Sequence, residues 1–457
     1  MIPAQDVVDL ALQAAAQSGR CDETIVIVTE RAEASLRWAG NSMTTNGVST
    51  SRSAAVISVV YKGNSAHIGS VRSSVVSAEA VGDLVAVAEQ SAHAAPAAPD
   101  AAPLLTGTGS PADWSDPVPG TGAHAFAEVA RALTAGFGTA DRLYGFAHHV
   151  VETVFLATSA GVRRRFTQPT GSVEINAKRG DASAWTGINT PWFVDVPIDA
   201  MLAELSMRLD WSRRTVELPA GRYDTLMPPS TVADMMIYLN WSMDGRGAQE
   251  GRTALSAPGG GTRVGERLTD LPLTLYSDPF APGLECSPFV HTAVGSERVS
   301  VFDNGMDIGR VDWIRDGAVS ALAYPRAAAA EFGTTPAVSA DNLLMTGGTT
   351  ELADMVAGTE RGLLLTTLWY IRTVDPATLL LTGLTRDGVY LIEDGEITAA
   401  VNNFRFNESP LDLLRRVAEV GVPEVTLPRE WSDWATRAVM PALRIPDFHM
   451  SSVSQAQ

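Results

Sequence analysis

The 457-residue sequence is poor in cysteine, with only Cys21 and Cys286. Two cysteines are too few for a disulfide framework or for a metal site built from thiolates, and they fit a reducing compartment. The N-terminal residues include Asp6 and Asp9 before any Lys or Arg and form no continuous apolar run, so they do not resemble a secretory signal. We therefore expect a cytoplasmic protein.

Long apolar segments and positive charge are also scarce. No segment reaches the roughly 18 consecutive apolar residues of a membrane-spanning helix, which argues against a membrane protein. Lys and Arg total 34 against 52 Asp and Glu, so the formal net charge is −18. Such a charge opposes a phosphate backbone, and the one basic run, Arg163 to Arg165, lies among apolar and β-forming residues. We expect no nucleic-acid partner.

Several catalytic motifs are missing as well. The sequence contains no G-x-S-x-G, H-E-x-x-H or H-x-x-E-H. The glycine-rich stretch 257–266 fails the spacing of both common phosphate-binding loops, so we interpret it as a flexible turn. Cys286 and His291 suggest a nucleophile and its base, but nothing marks an orienting third group or an oxyanion hole. A structural role for this thiol is favoured.

The residues that most resemble a metal site are His148, His149 and Glu152. In a helix, Glu152 would lie one turn from both histidines. The surrounding valines favour a strand instead, in which His148 and Glu152 share one face and His149 points to the other. The pattern therefore predicts a strand, and a metal-ligand role for these three residues remains the alternative.

The composition is that of a globular protein, with 45% hydrophobic and 19% charged residues. The chain is too long for one core and predicts two or three domains. Helical patterns at 4–18 and 77–93 enclose β-rich segments, which indicates an N-terminal α/β domain over 1–95. Prolines and glycines without apolar periodicity then mark a linker or surface loop at 96–122.

The remaining sequence divides into a middle domain over 123–217 and a C-terminal domain over 218–457. The middle domain combines a helix at about 123–136 with strand-like runs. In the C-terminal domain, Asp-Gly pairs at 316–317, 387–388 and 394–395 lie between β-rich flanks, which is a strong hairpin signal. We predict an α+β fold in which the N-terminal α/β unit and the middle segment precede a large antiparallel, barrel-like, β-rich domain.

Two helices are marked in the C-terminal domain. In the later one, Ser409 is the expected N-cap, with Pro410 at the first helical position and Asp412 closing a capping box. In the earlier one, which begins near residue 230, Thr231 is the expected cap with Asp234 three residues later. Its apolar residues recur on one face: Val232, Met235, Met236, Leu239 and Met243. Its polar face comprises Asp234, Asn240, Ser242 and Asp244.

Five segments follow one another through the C-terminal domain. They are LPAGRYDTLMPPSTVADMM (218–236), RTALSAPGGGTRVGERLTDLPLTLYSDP (252–279), VFDNGMDIGRVDWIRDGAVSALAYPRAAAAEFG (301–333), DNLLMTGGTTELADMV (341–356) and GLLLTTLWYIRTVDPATLLLTGLTRDGVYLIEDGEITAAVNNFRF (362–406). In this order, and together with LATSAGVRRRF at 156–166, they resemble the TldD/PmbA family of peptidase-related proteins. The resemblance covers nearly the whole chain.

In that family the TldD type carries a metal-binding H-E-x-x-x-H on the helix near residue 230, with a further cysteine ligand near the C-terminus. This sequence has no histidine between 232 and 256 and no cysteine after Cys286. The resemblance therefore implies the other type, called TldE or PmbA, with no catalytic residue and no metal ligand of its own. The helix positions that match the missing metal motif are Asn240, Ser242 and Asp244.

The resemblance also implies a partner and a substrate. We expect a heterodimer with a TldD-type metalloprotease subunit that carries a zinc-type metal, acting on unfolded peptides, small proteins or modified-peptide precursors. An extended peptide can be held through main-chain hydrogen bonds to a sheet edge. For the lasting interface with the partner, the apolar stretch 362–371 is the best candidate, although it also fits a buried core strand.

Two alternatives remain open. The chain can be a stand-alone hydrolase with a relocated metal site, for which His148, His149 and Glu152 are the first candidates, or a homodimeric peptide-binding protein. The seven histidines contain no close pair except 148 and 149, so a relocated site needs ligands from distant parts of the sequence. They lie at positions 67, 93, 124, 148, 149, 291 and 449.

Overall fold

Long antiparallel strands and helices form the N-terminal half of the molecule, and mostly shorter strands and helices form the C-terminal half. A computed structural model describes residues 2–138 and 141–454. Its helices are α1 (Ala4–Ser18), α2 (Ala78–Ala94), α3 (Ala127–Gly136), α4 (Ile198–Trp211), α5 (Pro229–Trp241), α6 (Gly245–Gln249), α7 (Arg326–Phe332), α8 (Leu352–Ala357) and α9 (Pro410–Arg416), with short 3-10 turns at Ala123–Phe126 and Val301–Asp303.

The strands of the first half are β1 (Glu23–Trp38), β2 (Met43–Lys62), β3 (Ser65–Ser73), β4 (Arg142–Thr158), β5 (Arg163–Arg179) and β6 (Ala182–Asn189). Those of the second half are β7 (Thr215–Val216), β8 (Gly221–Met227), β9 (Leu275–Ser277), β10 (Val311–Arg315), β11 (Ala318–Val319), β12 (Leu343–Met345), β13 (Arg361–Leu365), β14 (Leu368–Asp375), β15 (Leu380–Thr385), β16 (Val389–Glu393), β17 (Glu396–Val401), β18 (Phe404–Glu408), β19 (Glu419–Thr426) and β20 (Ala438–Val453). The predicted α+β class is confirmed.

The first six strands form one antiparallel sheet in the order β3-β2-β1-β4-β5-β6. Its two faces follow from the period-2 alternation of apolar side chains in β1. Val26 and Val28 pack towards α1 and α2, while Ile25 and Ile27 pack against a cluster that includes Phe302. Because β1 pairs with β4, strands from the predicted N-terminal and middle domains share this sheet.

The proline- and glycine-rich segment at 96–122 follows the surface of this sheet. Leu104 and Trp114 are buried, and the Trp114 ring meets the Phe155 ring edge-on with centroids 5.4 Å apart. The segment therefore packs against the sheet through these two side chains. The nearby basic run is neutralised by acidic side chains, since Arg163, Arg164 and Arg165 each form an ion pair.

The second sheet has 14 strands and is mainly antiparallel, with β20 pairing with β8, β12, β18 and β19. Two of the three predicted Asp-Gly hairpins are present. Asp316-Gly317 joins β10 to β11, and Asp394-Gly395 joins β16 to β17, with positive φ at both residues of each pair. The third prediction is wrong: the strands on either side of Asp387, β15 and β16, are not paired, and Arg429 and Ser183 bind its carboxylate.

Two further sequence expectations concern the C-terminal domain. The stretch 362–371 forms parts of β13 and β14; its leucines at 363, 365 and 368 are core residues, as expected for a buried core strand, whereas Tyr370 is 56% exposed. In α9 the predicted capping box is absent, because the Ser409 hydroxyl donates to the carbonyl of Thr378 and Asp412 pairs with Arg415. Among the described helices, none combines the length and apolar character needed to cross a bilayer.

Candidate functional site

Helix α5 is the element around which the candidate site is built. It begins at Pro229, and the Thr231 hydroxyl donates to the carbonyl of Pro228 at 2.9 Å, so the predicted cap involving Asp234 is not formed. Its apolar face is buried as predicted, and Val232, Met235 and Leu239 are at most 1% exposed. The helix is therefore fixed in the core, with its C-terminal end at a cleft.

Asp234 does not belong to an exposed polar face and is completely buried. Its Oδ1 accepts a hydrogen bond from the backbone N–H of Glu430 at 3.0 Å, and its backbone carbonyl accepts one from Trp431 Nε1 at 2.8 Å. Burial raises the pKa of Asp234 well above its usual range. This residue anchors the segment that joins β19 to β20, residues 427–437, which we call the connecting segment.

A cleft of about 360 Å³ lies beside the C-terminal end of α5. We call it the α5 cleft and define it by its lining residues: Ile237, Asn240, Trp241, Ser296, Arg298, Val299, Val338, Ser339, Ala340, Asp341, Asn342, Leu343, Trp434, Ala435 and Arg437. Trp241 is 38% exposed and Trp434 is 68% exposed. Both rings lie next to Trp431, so the cleft has a partly exposed aromatic wall.

The polar part of the α5 cleft centres on Asn240 and Arg298. Arg298 Nη2 donates to Asn240 Oδ1 at 3.2 Å, and the Ser339 hydroxyl donates to the same oxygen at 3.3 Å. Burial lowers the pKa of Arg298 to about 10, so the guanidinium remains charged at neutral pH. The structure thus places a partly buried cation against Asn240, a residue predicted to match the missing metal motif.

The other two predicted positions, Ser242 and Asp244, form hydrogen bonds elsewhere and not with Asn240. The Ser242 hydroxyl donates to the carbonyl of Tyr238 at 2.9 Å, and Asp244 caps α6 by accepting from the N–H of Gly247 at 3.0 Å. A metal ion near Asn240 would also meet the charge of Arg298, which is a repulsive arrangement. These residues therefore do not fit a zinc-type site.

A second concave region, which we call the β4 groove, lies on the other side of the connecting segment. Its volume is about 240 Å³, and its lining includes Arg31, His148, Glu152, Gln168 and Glu174. The predicted strand geometry is confirmed here, because β4 places the side chains of His148 and Glu152 on the groove face.

The third residue of the predicted cluster points away from the β4 groove. His149 is buried on the opposite face of β4, where its Nδ1 lies 2.7 Å from the Thr121 hydroxyl and burial lowers its pKa. His148 Nε2 instead lies 2.8 Å from Glu33 Oε1. In the described ranges, no three His, Cys, Asp or Glu side chains are grouped in a way that suits a metal ion.

Arg437 forms the wall between the cleft and the groove. Its side chain is 2% exposed; Nη1 donates to Asp341 Oδ2 at 3.0 Å, and Nη2 donates to Thr170 and to the carbonyl of Pro169. Gln168 Nε2 donates to the same Asp341 oxygen at 2.8 Å. The sequence offered no signal for Arg298 or Arg437, since neither belongs to a motif and their partners lie far away in the chain.

The sequence favoured a structural role for Cys286 over a nucleophile paired with His291, and the thiol lies in the protein interior. Burial raises the pKa of the Cys286 thiol to about 12, so it is protonated at neutral pH. The His291 ring packs against Phe289 with centroids 5.7 Å apart, and burial lowers its pKa. The glycine-rich stretch 257–266 is a turn as predicted, closed by a hydrogen bond from Ala257 N–H to the Gly261 carbonyl.

Comparison with known proteins gives a consistent result for the whole chain. Residues 220–452 match the family model described as "PmbA/TldA metallopeptidase C-terminal domain". TldE from Thermococcus kodakarensis has the same fold, with a TM-score of 0.78 and 14% identity over 97% of this chain and 99% of that one.

Two further crystal structures share the fold. A putative modulator of DNA gyrase from Bacteroides thetaiotaomicron matches with a TM-score of 0.77 and 14% identity, over 98% of this chain and 99% of that chain. One from Thermotoga maritima matches with a TM-score of 0.73 and 15% identity, over 97% and 99%. No curated protein sequence matches this chain significantly.

Proposed function

This chain belongs to the PmbA/TldD metallopeptidase family, and from that premise we propose that it is the non-catalytic, TldE/PmbA-like subunit of a two-component metalloprotease. The observation that carries the proposal is the chemistry at the end of α5. Where the TldD type is expected to hold its metal ligands, this chain has Asn240 hydrogen-bonded to the guanidinium of Arg298. A guanidinium binds anions and does not substitute for a metal in activating water.

In this proposal the α5 cleft contacts the substrate, which is an unfolded peptide. The cleft combines tryptophan surfaces with a few polar groups, as is common in ligand sites. Main-chain pairing with a sheet edge is one way in which an extended peptide can be held. However, β12, which contributes Leu343 to the cleft, is already paired on both sides, with β9 and β20. Recognition here would therefore depend on side chains and on the loop at 338–342.

The proposed partner is a TldD-type subunit that carries the zinc-type metal and the catalytic glutamate, and the proposed location of the heterodimer is the cytoplasm. The alternative of a stand-alone hydrolase has less support, because the residues assigned to it, His148 and His149, lie on opposite faces of β4. The homodimeric peptide-binding alternative would appear as a dimer of this chain alone in solution.

The experiment is a cleavage assay with an unfolded, fluorescently labelled protein. This chain alone and its cognate H-E-x-x-x-H subunit alone should each cleave slowly or not at all, and the mixture should cleave faster by two orders of magnitude or more, on the order of the effect of losing a catalytic group. Substituting the partner's catalytic glutamate by glutamine should silence the mixture.

The matched control is His148→Ala in this chain, which should leave the activity of the mixture unchanged. Cleavage by this chain alone that is lost in His148→Ala would overturn the proposal in favour of a stand-alone hydrolase. Full activity of the partner without this chain would overturn it as well.

A further inference from the structure

The α5 cleft contains a partly buried cation, Arg298, that forms no ion pair among the described residues and interacts with the charge of Asp244 only at longer range. Within the described residues, the Arg298 side chain makes one hydrogen bond, to Asn240 Oδ1, and no carboxylate lies within 4.0 Å of it. Its Nε is buried without a partner, and so is the Nδ2 of Asn240. Leaving buried donors unpaired costs free energy, so their presence beside a cleft points to a ligand that supplies acceptor oxygens.

The charge balance of the cleft supports an anionic ligand. The protein has a formal net charge of −18, yet this cleft is lined by two guanidinium groups, Arg298 and Arg437, and by one carboxylate, Asp341. Arg437 already binds Asp341. Asp244 acts on Arg298 only beyond salt-bridge distance, so Arg298 is the cation of the cleft that can still pair with a ligand.

We propose that the α5 cleft binds a carboxylate of an extended peptide, either its C-terminal carboxylate or an Asp or Glu side chain, through the guanidinium of Arg298. The proposal rests on the proposed function for the identity of the ligand as a peptide. Arg is suited to the task because its planar guanidinium donates two parallel hydrogen bonds to a carboxylate.

A monovalent carboxylate fits better than a phosphate group. A phosphate carries a charge of about −1.5 to −2 near neutral pH and is usually bound by several cations or by backbone N–H groups. Here one guanidinium is available, and the charge of Asp341 on the same wall would repel a dianion. The exposed faces of Trp241 and Trp434 provide apolar contact for neighbouring peptide residues.

The test uses the full chain and three neutral, rhodamine-labelled decapeptides without basic residues. One has a free C-terminal carboxylate, the second a C-terminal amide, and the third a C-terminal amide with one internal Glu. By fluorescence anisotropy, the first should bind about tenfold or more tightly than the second, as expected for a charge-assisted bidentate contact. The third distinguishes the two sources of the carboxylate, since it binds like the first only if a side chain is accepted.

The preference for the acid over the amide should disappear in Arg298→Gln and persist in the matched control Arg131→Gln, whose side chain is 74% exposed on α3. Asn240→Asp provides a second, nearly isosteric variant, in which the new carboxylate pairs with Arg298 and should also remove the preference. Equal binding of acid and amide by the wild type, or a preference that survives both Arg298→Gln and Asn240→Asp, would overturn the inference. Cleavage by the mixed subunits tests the proposed function separately, because it does not depend on this preference.

Discussion

The α5 cleft and the β4 groove share a wall but differ in how their charges are satisfied. In the groove, His148 and Arg31 both contact Glu33, and Arg31 also lies 3.8 Å from Glu152. In the cleft, Arg298 has a neutral amide as its partner. The cluster of titratable residues that stands out in the sequence is therefore the one whose charges already pair with each other. The cleft holds a charge, that of Arg298, for which no ion pair forms among the described residues.

Exposure explains why this difference matters. Glu33 and His148 are 36% and 28% exposed, so water can solvate whatever their pairing leaves unsatisfied. Arg298 is only partly exposed and its Nε is fully buried without a partner, and a buried donor on a charged group is costly unless a partner or a ligand meets it. An unsatisfied group is thus a better indicator of a binding site in this protein than a group of histidines. Four predictions follow this contrast, from the largest expected effect to the smallest.

A reactive thiol at Cys286 would contradict this comparison, because it would be a nucleophile that lies outside the α5 cleft. With a thiol pKa of about 12 and 1% exposure, Cys286 should react with iodoacetamide at about pH 8 on the order of a thousandfold more slowly than a free cysteine. Mass spectrometry of a Cys21→Ser variant isolates the site. Rapid alkylation of the folded variant would contradict this prediction.

Arg437→Met tests how much Arg437, which lies between the α5 cleft and the β4 groove, contributes to stability. This substitution removes a buried guanidinium that binds Asp341, Thr170 and the carbonyl of Pro169, and each of these acceptors loses that donor, although Asp341 keeps its hydrogen bond from Gln168. We expect the free energy of unfolding to fall by about 2–4 kcal/mol in urea titrations. Arg315→Met, at a 61% exposed position, is the control and should change stability by about 0.5 kcal/mol or less. A neutral effect of Arg437→Met would show that the wall is not held by this residue.

Arg298→Met, in contrast to Arg437→Met, should not lower the free energy of unfolding. Because Arg298 is partly buried and forms no ion pair among the described residues, an apolar side chain of similar length should leave the free energy of unfolding unchanged or raise it by about 1 kcal/mol. The same urea titrations measure it, alongside the loss of carboxylate binding. A loss of stability as large as that of Arg437→Met would indicate that Arg298 is a structural residue.

His148→Gln should have the smallest effect and a defined pH dependence. Burial alone would raise the pKa of Glu33, but the hydrogen bond and charge of His148, together with Arg31, lower it overall. A lowered pKa contributes stability that is present above the usual Glu value of about 4.3 and is lost as the pH falls through the folded value. Since both side chains are about a third exposed, we expect about 0.5 kcal/mol or less.

The measurement compares urea unfolding of the wild type and His148→Gln at about pH 5 and about pH 3, on either side of that window. The wild type should be the more stable protein at the higher pH, and the difference should shrink at the lower pH. A difference that grows on acidification would show that the pairing with Glu33 is not its cause.

The sequence predicted much of the fold but little of the candidate site. The two Asp-Gly hairpins and the opposite orientations of His148 and His149 follow from local conformational rules, and each is present. The errors arose where a side chain had a distant competitor. Ser409 donates to Thr378 in place of capping α9, and the Asp387 carboxylate is engaged by Arg429.

By itself the sequence determined the absence of histidine along α5, the burial of that helix and the strand faces of the first sheet, because these depend on residue identity and on periodicities of 3.6 and 2. Only the tertiary structure decided that Arg298 meets Asn240, 58 positions away, and that Arg437 reaches Thr170 on the first sheet. No local rule encodes such pairs. They exist because core packing brings distant segments together, and burial then makes the presence or absence of a partner for each charge energetically important.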